Sequence, residues 1–349
     1  MRVLWVAPAF KPYLDNDSLS TSDYLSCAWK ALADHGVTQY AILPPGSHSV
    51  DLDYTALAGG TMQDDATLPK GAAEDDGSAL SRMLELAVRI QADFDVVINL
   101  GHDLPPHRLM ETANFPLVSA PNLCNANRPT DQVIAELAKK DPRKFLWSSS
   151  SQMHSYGIKS GNVVGQPFNK DAFPEQDNIT GGYLLFAGRL TPEKGLHRAA
   201  SVARKTGLRL LVAGSGLDND YVRKCQLINP DMEMMGDCNR TVLFGLMAGA
   251  EALLQLHSTS EAFGRVTAEA LLCGCPVIHS DCGATSEIAG RSDGFVVESI
   301  DAAVDAAQKI IVNPVDRRGI QIRAMGRFCR SVYADKLLSL LKQTGALAA

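Results

Sequence analysis

Two glutamates eight positions apart, Glu261 and Glu269, bracket the segment EAFGRVTAE, which follows an apolar strand-like run at 252–256 and a polar turn at 257–260. A helix opening after a strand presents free N–H groups and the positive end of its dipole, which together hold an anion such as phosphate. Gly264 would let that anion approach the backbone closely. Carboxylates only accept hydrogen bonds, so one on each side of the anion suits hydroxyls. Measured as continuous helix, eight residues separate the two carboxylates by about 12 Å along the axis. That spacing fits a ligand anionic in its middle and uncharged at both ends. As isolated residues, Glu261 complements a helix dipole and Glu269 is a solvated helix residue.

A second group lies in FAGRLTPEKG, residues 186–195, where a strand ends at Gly188 and a helix begins near Lys194. Arg189 and Lys194 then stand on the loop at the strand's carboxyl end, where open α/β sheets bind ligands. Two cations there would neutralise a diphosphate leaving group as charge develops on it. Alone, an Arg and a Lys beside a turn are an ordinary surface. Arg265 either reaches an acidic group on a ligand or points to solvent. Other titratable residues are less telling. His102, in the GHD triplet after an apolar run, is either a site residue or a satisfied loop histidine, and His107 follows Pro105 and Pro106. Cys273 and Cys275 form a C-x-C pair without the second half that zinc requires, so they read as buried small hydrophobes and no metal site is expected.

Positioning such residues requires parallel strands with their carboxyl ends at one edge. Strand-like runs at 2–7, 38–43, 95–100, 117–120 and 144–147 alternate with helical spacing at 24–34, 80–91 and 132–139. After a polar, proline-containing stretch the alternation restarts, with strands at 183–187, 208–213, 232–235, 252–256, 276–279 and 295–297 and helices between them. This predicts an α/β protein of two doubly wound domains. The boundaries read as a first domain over 1–165, a linker over 166–182, a second domain over 183–330, and a last helix within 331–349 that crosses back to the first. Residues 47–77, with acidic pairs at Asp64 and Asp65 and at Asp75 and Asp76, read as a solvated excursion.

Composition agrees with a fully folded chain. Its 349 residues exceed what one core usually takes, 46% are hydrophobic and 21% charged, and mean hydropathy is near zero. The longest apolar runs fall far short of the roughly 20 residues that span a bilayer. The opening run with Trp5 and Pro8 predicts a buried strand and no secretion signal, and eight scattered cysteines fit reduced thiols, so a cytoplasmic protein is expected. Residues 1–175 carry 14 Lys and Arg against 21 Asp and Glu, and 176–349 carry 19 against 18, within the totals of 33 and 39. An acidic first half disfavours nucleic acid and anionic membranes as partners.

The segment around Arg189 and Lys194, the E-x7-E pattern, the following GCPVIHSDCG at 274–283 with Glu287, and QPFNKDAF at 166–173 resemble the group 1 (family 4) retaining glycosyltransferases. The similarity is strong over 163–345 and architectural before that. It implies the GT-B architecture, two Rossmann-like doubly wound domains facing a central cleft. It also implies a nucleoside-diphosphate sugar donor and an acceptor hydroxyl not identified by the sequence, with retention at the anomeric centre and without a metal ion or other cofactor. In that reading Arg189 and Lys194 bind the diphosphate, Glu261 contacts the transferred sugar and Glu269 the ribose. Gly188, Gly214, Phe263, Gly264, Arg265 and Val266 line the donor site, and His102 hydrogen-bonds the transferred sugar. The family's glycine-rich first turn is replaced by FKPYLDNDSLS at 10–20. A non-catalytic nucleotide-sugar sensor or partner subunit and a GT-B-like sugar-nucleotide epimerase are the alternatives. No G-x-G-x-x-G turn supports a dinucleotide oxidoreductase.

Overall fold

A computed structural model describes residues 1–9, 12–13, 20–44, 46–47, 78–177, 181–216 and 218–343. Most of the glycine-less loop 10–20 and of the acidic stretch 47–77 lies outside them. The chain divides into two compact units, Met1–Phe168 with Arg330–Ala349, and Asn169–Cys329.

In the first unit the order is β1 (Arg2–Val6), α1 (Ser20–Ala33), β2 (Thr38–Ile42), α2 (Ser78–Ile90), β3 (Val96–Asn99), α3 (Leu104–Thr112), β4 (Leu117–Ser119), α4 (Pro129–Lys140), β5 (Leu146–Trp147), α5 (Ser150–Ser155) and β6 (Asn162–Val163). The first four strands form a parallel sheet ordered β2-β1-β3-β4, and β5 pairs with β6. Strand side chains alternate between faces. Val3 and Trp5 of β1 therefore enter a core with Leu25, Trp29 and Leu32 of α1, and Leu4 and Val6 enter another with Met83 of α2, Met110 of α3 and Ile134 of α4. Burial on both faces explains why β1 reads as a continuous apolar run. The Trp5 indole N–H is satisfied by Gln39 Oε1 at 3.0 Å.

The second unit runs β7 (Tyr183–Ala187), α6 (Leu196–Thr206), β8 (Arg209–Ala213), α7 (Asn219–Ile228), β9 (Glu233–Gly236), α8 (Arg240–Gly249), β10 (Ala252–Gln255), α9 (Arg265–Leu272), β11 (Val277–His279), α10 (Thr285–Asp293), β12 (Gly294–Val296), α11 (Ile300–Val312) and α12 (Arg317–Phe328). Its six parallel strands are ordered β12-β11-β10-β7-β8-β9. The chain ends with α13 (Arg330–Gln343), which belongs to the first unit and packs on α1. Tyr333, Leu337 and Leu341 of α13 are buried in the core of Trp5 and Leu32. Residues 166–168 cluster with the first unit and 169–182 fall on the side of the second.

One helix was not predicted and one strand is shorter than expected. Residues 104–112 form a helix despite Pro105 and Pro106, because prolines in a first turn give up only N–H groups that the helix does not use. The strand expected at 144–147 shortens to Leu146–Trp147, because Pro142 opens a 3₁₀ turn capped by the Asp141 side chain, which accepts the Arg143 N–H at 3.2 Å. Among the described residues no helix is long and apolar enough to cross a membrane.

If α13 is an integral part of the first unit, Leu337→Ala, at a fully buried site, will lower that unit's unfolding free energy by roughly 2–5 kcal/mol. Lys336→Ala, at an exposed neighbour, will change it by less than about 0.5 kcal/mol. Urea unfolding followed by tryptophan fluorescence checks both.

Candidate functional site

In an open parallel sheet the chain winds one way and then the other from a starting strand, and ligands bind where the two directions part. In the second unit that point lies between β7 and β10, which pair directly. The loops leaving their carboxyl ends hold Arg189 and Lys194 on one side and Glu261 and Gly264 on the other.

These loops are held together by the backbone. Ser258 N–H donates to Glu193 O at 2.8 Å, and Arg198 Nη1 donates to Leu256 O at 3.1 Å. Gly195 adopts φ 81° and lies so close to the Leu256 carbonyl that a Cβ there would overlap it. Only glycine combines that dihedral with that approach. Lys194, one residue earlier, consequently reaches Glu261, and Nζ and Oε1 form an ion pair. Its partners are 21% and 24% exposed, open enough for a ligand to compete. Arg189 is exposed, with no ion-pair partner among the described residues. Glu261 is fixed further by the backbone of the next loop, bridging Gly283 and accepting the Ala284 N–H at 3.0 Å.

Gly264 caps α9 with φ 87° and offers no side chain to the amides of the first turn. Helix starts only at Arg265, so the 12 Å spacing expected for a continuous helix does not apply from Glu261 onward. Glu269 is buried and not solvated. Its carboxylate lies 3.6 Å from guanidinium nitrogens of both Arg265 and Arg240. Arg265 is 9% exposed, so it turns back along its own helix and not outward. Arg240, at the start of α8, was not singled out by the sequence, because the contact depends on where α8 and α9 pack. The Phe263 side chain is buried against Phe328, ring centroids 5.9 Å apart, which leaves only its backbone for a ligand. Val266 is half-buried. Gly188 and Gly214 knit the adjoining strand ends: Gly188 N–H donates to Ala213 O at 3.0 Å and Gly214 N–H to Gly236 O at 2.8 Å. Cys273 and Cys275 are buried, with burial pushing the Cys275 thiol up to about 11. No metal-binding group of His, Cys, Asp or Glu occurs among the described residues.

In the first unit the corresponding switch lies between β1 and β3, and His102 follows β3. Its Nε2 is 2.8 Å from Oδ1 of Asp131, a fully buried carboxylate on the first turn of α4. Arg128 donates to the same carboxylate through Nε at 2.8 Å and Nη2 at 2.9 Å, and the Tyr156 hydroxyl lies 3.1 Å away. Burial resists the charge of Asp131, but hydrogen bonds from Arg128, Ala126 and His102 overcome it and hold its carboxyl well below the usual range. Sequence reasoning missed Asp131, although an acid two residues after Pro129 is a helix-start signal. His107 is buried in α3, with Nδ1 on Asp103 O at 2.7 Å and Nε2 on Ser119 Oγ at 3.0 Å. It is a satisfied core histidine.

Residues 168–325 match the family described as Glycosyl transferases group 1. A GDP-mannose-dependent alpha-mannosyltransferase of Mycolicibacterium smegmatis is 29% identical over 141 residues, 40% of this chain and 36% of that protein. A glycogen synthase of Mycobacterium tuberculosis is 34% identical over 113 residues, 30% and 27% of the two chains. The aligned stretches thus span about a third of these curated relatives, 36% and 27%. Among solved structures, AviGT4, a glycosyltransferase involved in avilamycin A biosynthesis, superposes with a TM-score of 0.74 at 19% identity, covering 99% of this chain and 98% of its own. Anabaena Alr3699/HepE, solved with UDP and glucose, gives 0.72 at 15% identity, covering 98% and 100%. The fold is GT-B.

Burial lowers the pKa of His107 from 6.5 to about 4, so it is neutral when folded and takes a proton more readily when unfolded. Its contribution to stability is complete above pH 6.5 and is lost as pH falls toward about 4. The loss should reach about 3 kcal/mol for the full shift. Urea midpoints of the wild type should therefore fall between about pH 7 and about pH 4.5 more steeply than those of His107→Gln. Equal slopes would contradict this origin.

Proposed function

We propose, from the match of residues 168–325 to the group 1 glycosyl transferases and from the GT-B fold, that this protein transfers a sugar from a nucleoside-diphosphate donor to an acceptor hydroxyl with retention of anomeric configuration. The observation that carries the reading is the concentration of Arg189, Lys194, Glu261 and the amino end of α9 at the β7–β10 switch point. Arg189, Lys194 and the α9 amides hold the diphosphate. Their donors face the atoms on which negative charge grows as the glycosidic bond breaks, which is how a preorganised site lowers such a barrier. Two cations and a helix terminus supply the neutralisation that a divalent ion gives elsewhere, so transfer proceeds without a metal.

Glu261 accepts hydrogen bonds from hydroxyls of the transferred sugar once Lys194 is drawn to phosphate. Glu269, oriented by Arg240 and Arg265, accepts from the ribose. A side-chain base at the β7–β10 edge is not required. A departing phosphate oxygen that takes the acceptor proton on the same face as bond formation removes the need for one and retains configuration. His102 hydrogen-bonds a sugar hydroxyl. The neighbours suggest the donor class only broadly: a relative is named for GDP-mannose, and a solved structure holds UDP and glucose.

Incubation with UDP-, GDP-, ADP- and TDP-sugars, read by thermal shift and nucleotide release, tests the proposal. One donor should raise Tm by a few degrees, with binding to the native state alone as the cause. Glu261→Ala and Lys194→Ala should lower turnover by roughly 100-fold or more. Product NMR should show the donor's anomeric configuration, and EDTA should leave the rate unchanged. Stabilisation without turnover would favour a sensor, a changed free sugar nucleotide an epimerase, and no response to any donor would overturn the site.

A further inference from the structure

The carboxylate of Asp131 is fully buried and accepts from an unusual number of donors. Oδ2 takes the backbone N–H groups of Ala126 at 2.9 Å and Arg128 at 3.0 Å together with Arg128 Nε at 2.8 Å. Oδ1 takes Arg128 Nη2 at 2.9 Å and faces the Tyr156 hydroxyl at 3.1 Å and His102 Nε2 at 2.8 Å. Such a carboxylate is ionised and has only lone pairs to offer.

That decides the proton on His102. Nε2 cannot present a lone pair to Oδ1 at 2.8 Å, so it carries a hydrogen and donates it. Arg128 Nη2, 3.3 Å from the same nitrogen, has no acceptor capacity and does not compete for that hydrogen. The ring itself is largely buried, 11% exposed, and burial pulls its pKa down, with the Arg128 charge acting in the same direction against the opposing pull of Asp131. A neutral ring with hydrogen on Nε2 has a bare lone pair on Nδ1. Among the described residues Nδ1 is buried and has no hydrogen-bond partner. A buried acceptor left unpaired is costly and uncommon.

We infer that Asp131 is a positioning residue that locks His102 as the Nε2–H tautomer, so that Nδ1 accepts a hydrogen bond from a ligand hydroxyl at the carboxyl edge of the first sheet. The ligand must therefore present a donor there: a hydroxyl fits, whereas a carbonyl, a fluorine or a phosphate oxygen does not. The inference rests on the glycosyl-transfer reading for the identity of the hydroxyl as a sugar's, and on geometry alone for the tautomer. Tyr156 and Arg128 serve Asp131 and touch no ligand in this scheme.

The test is long-range 1H–15N correlation of the full-length 15N-labelled protein near pH 8, with His102 assigned by its loss in His102→Gln. The wild type should show one neutral form with hydrogen on Nε2. Asp131→Asn can turn its amide N–H toward the ring and should convert His102 wholly or partly to the Nδ1–H form, with kcat/KM falling roughly tenfold for a lost ligand hydrogen bond. Tyr156→Phe, which keeps the carboxylate, should leave the tautomer unchanged and guards against misfolding of the asparagine variant. A wild-type ring with hydrogen on Nδ1, or a mixture of forms, would overturn the inference. So would a converted tautomer with unchanged kcat/KM. Wild-type protein that turns over no nucleotide sugar would count against glycosyl transfer, while the tautomer spectra would still decide the role of Asp131.

Discussion

A parallel strand can be followed by another only if the chain returns to the starting edge, so every crossover leaves the sheet at its carboxyl end. That covalent constraint underlies both units. It brings Arg189, Gly214 and His257 to one edge of the second sheet and His102 to the same edge of the first, although none is near another in sequence. Close packing then sharpens the edge into a site. Gly195 against the Leu256 carbonyl and Gly283 against Glu261 bring backbones nearer than side chains would allow, and the Lys194–Glu261 pair follows from that approach.

The two units treat charge in opposite ways. Asp131 is wholly buried and saturated with donors, an arrangement that offsets desolvation and allows a single geometry. Removing the Arg128 guanidinium would strand charge in the interior, so the group is suited to fixing a neighbour and unsuited to moving. Lys194 and Glu261 are each about a quarter exposed or less and joined by one close contact, and Arg189 on the same loop as Lys194 is exposed with no ion-pair partner among the described residues. Pairs of that kind add little to stability. They can exchange partners at small cost when a ligand brings competing charge.

Most strands were legible because burial on both faces makes them continuous apolar runs, as at Val96–Asn99 and Tyr183–Ala187. The carboxyl-edge loops could be placed for the same reason. Less legible were features fixed by neighbours distant in sequence. Pro105 and Pro106 begin α3, a helix that the apolar spacing did not reveal, since first-turn N–H groups are dispensable. Arg265 could be read toward a ligand or toward solvent, and its contact with Glu269 required knowing that helix begins at Arg265 and that Arg240 lies alongside. Phe263, beside the key glycine, is packed on Phe328 from α12, sixty-five positions later by the difference of their numbers. Asp131 could be read as a helix-start acid, whereas its contact with His102 spans twenty-nine positions and has no local signature.

These contrasts bear on the order of events under the proposed reading. A diphosphate approaching the β7–β10 edge meets Arg189 first, because that guanidinium is exposed and has no ion-pair partner among the described residues to release. Engagement of Lys194 follows only by displacing Glu261. The displaced carboxylate stays where it is, since Gly283 and the Ala284 amide hold its backbone. It then has free lone pairs at the moment a sugar attached to that diphosphate arrives. Binding of the anion thus prepares recognition of the uncharged sugar, and a nucleoside diphosphate without a sugar leaves the Glu261 carboxylate without its lysine. The Lys194–Glu261 ion pair is in this sense a placeholder: each member keeps the other oriented until phosphate and hydroxyl replace them.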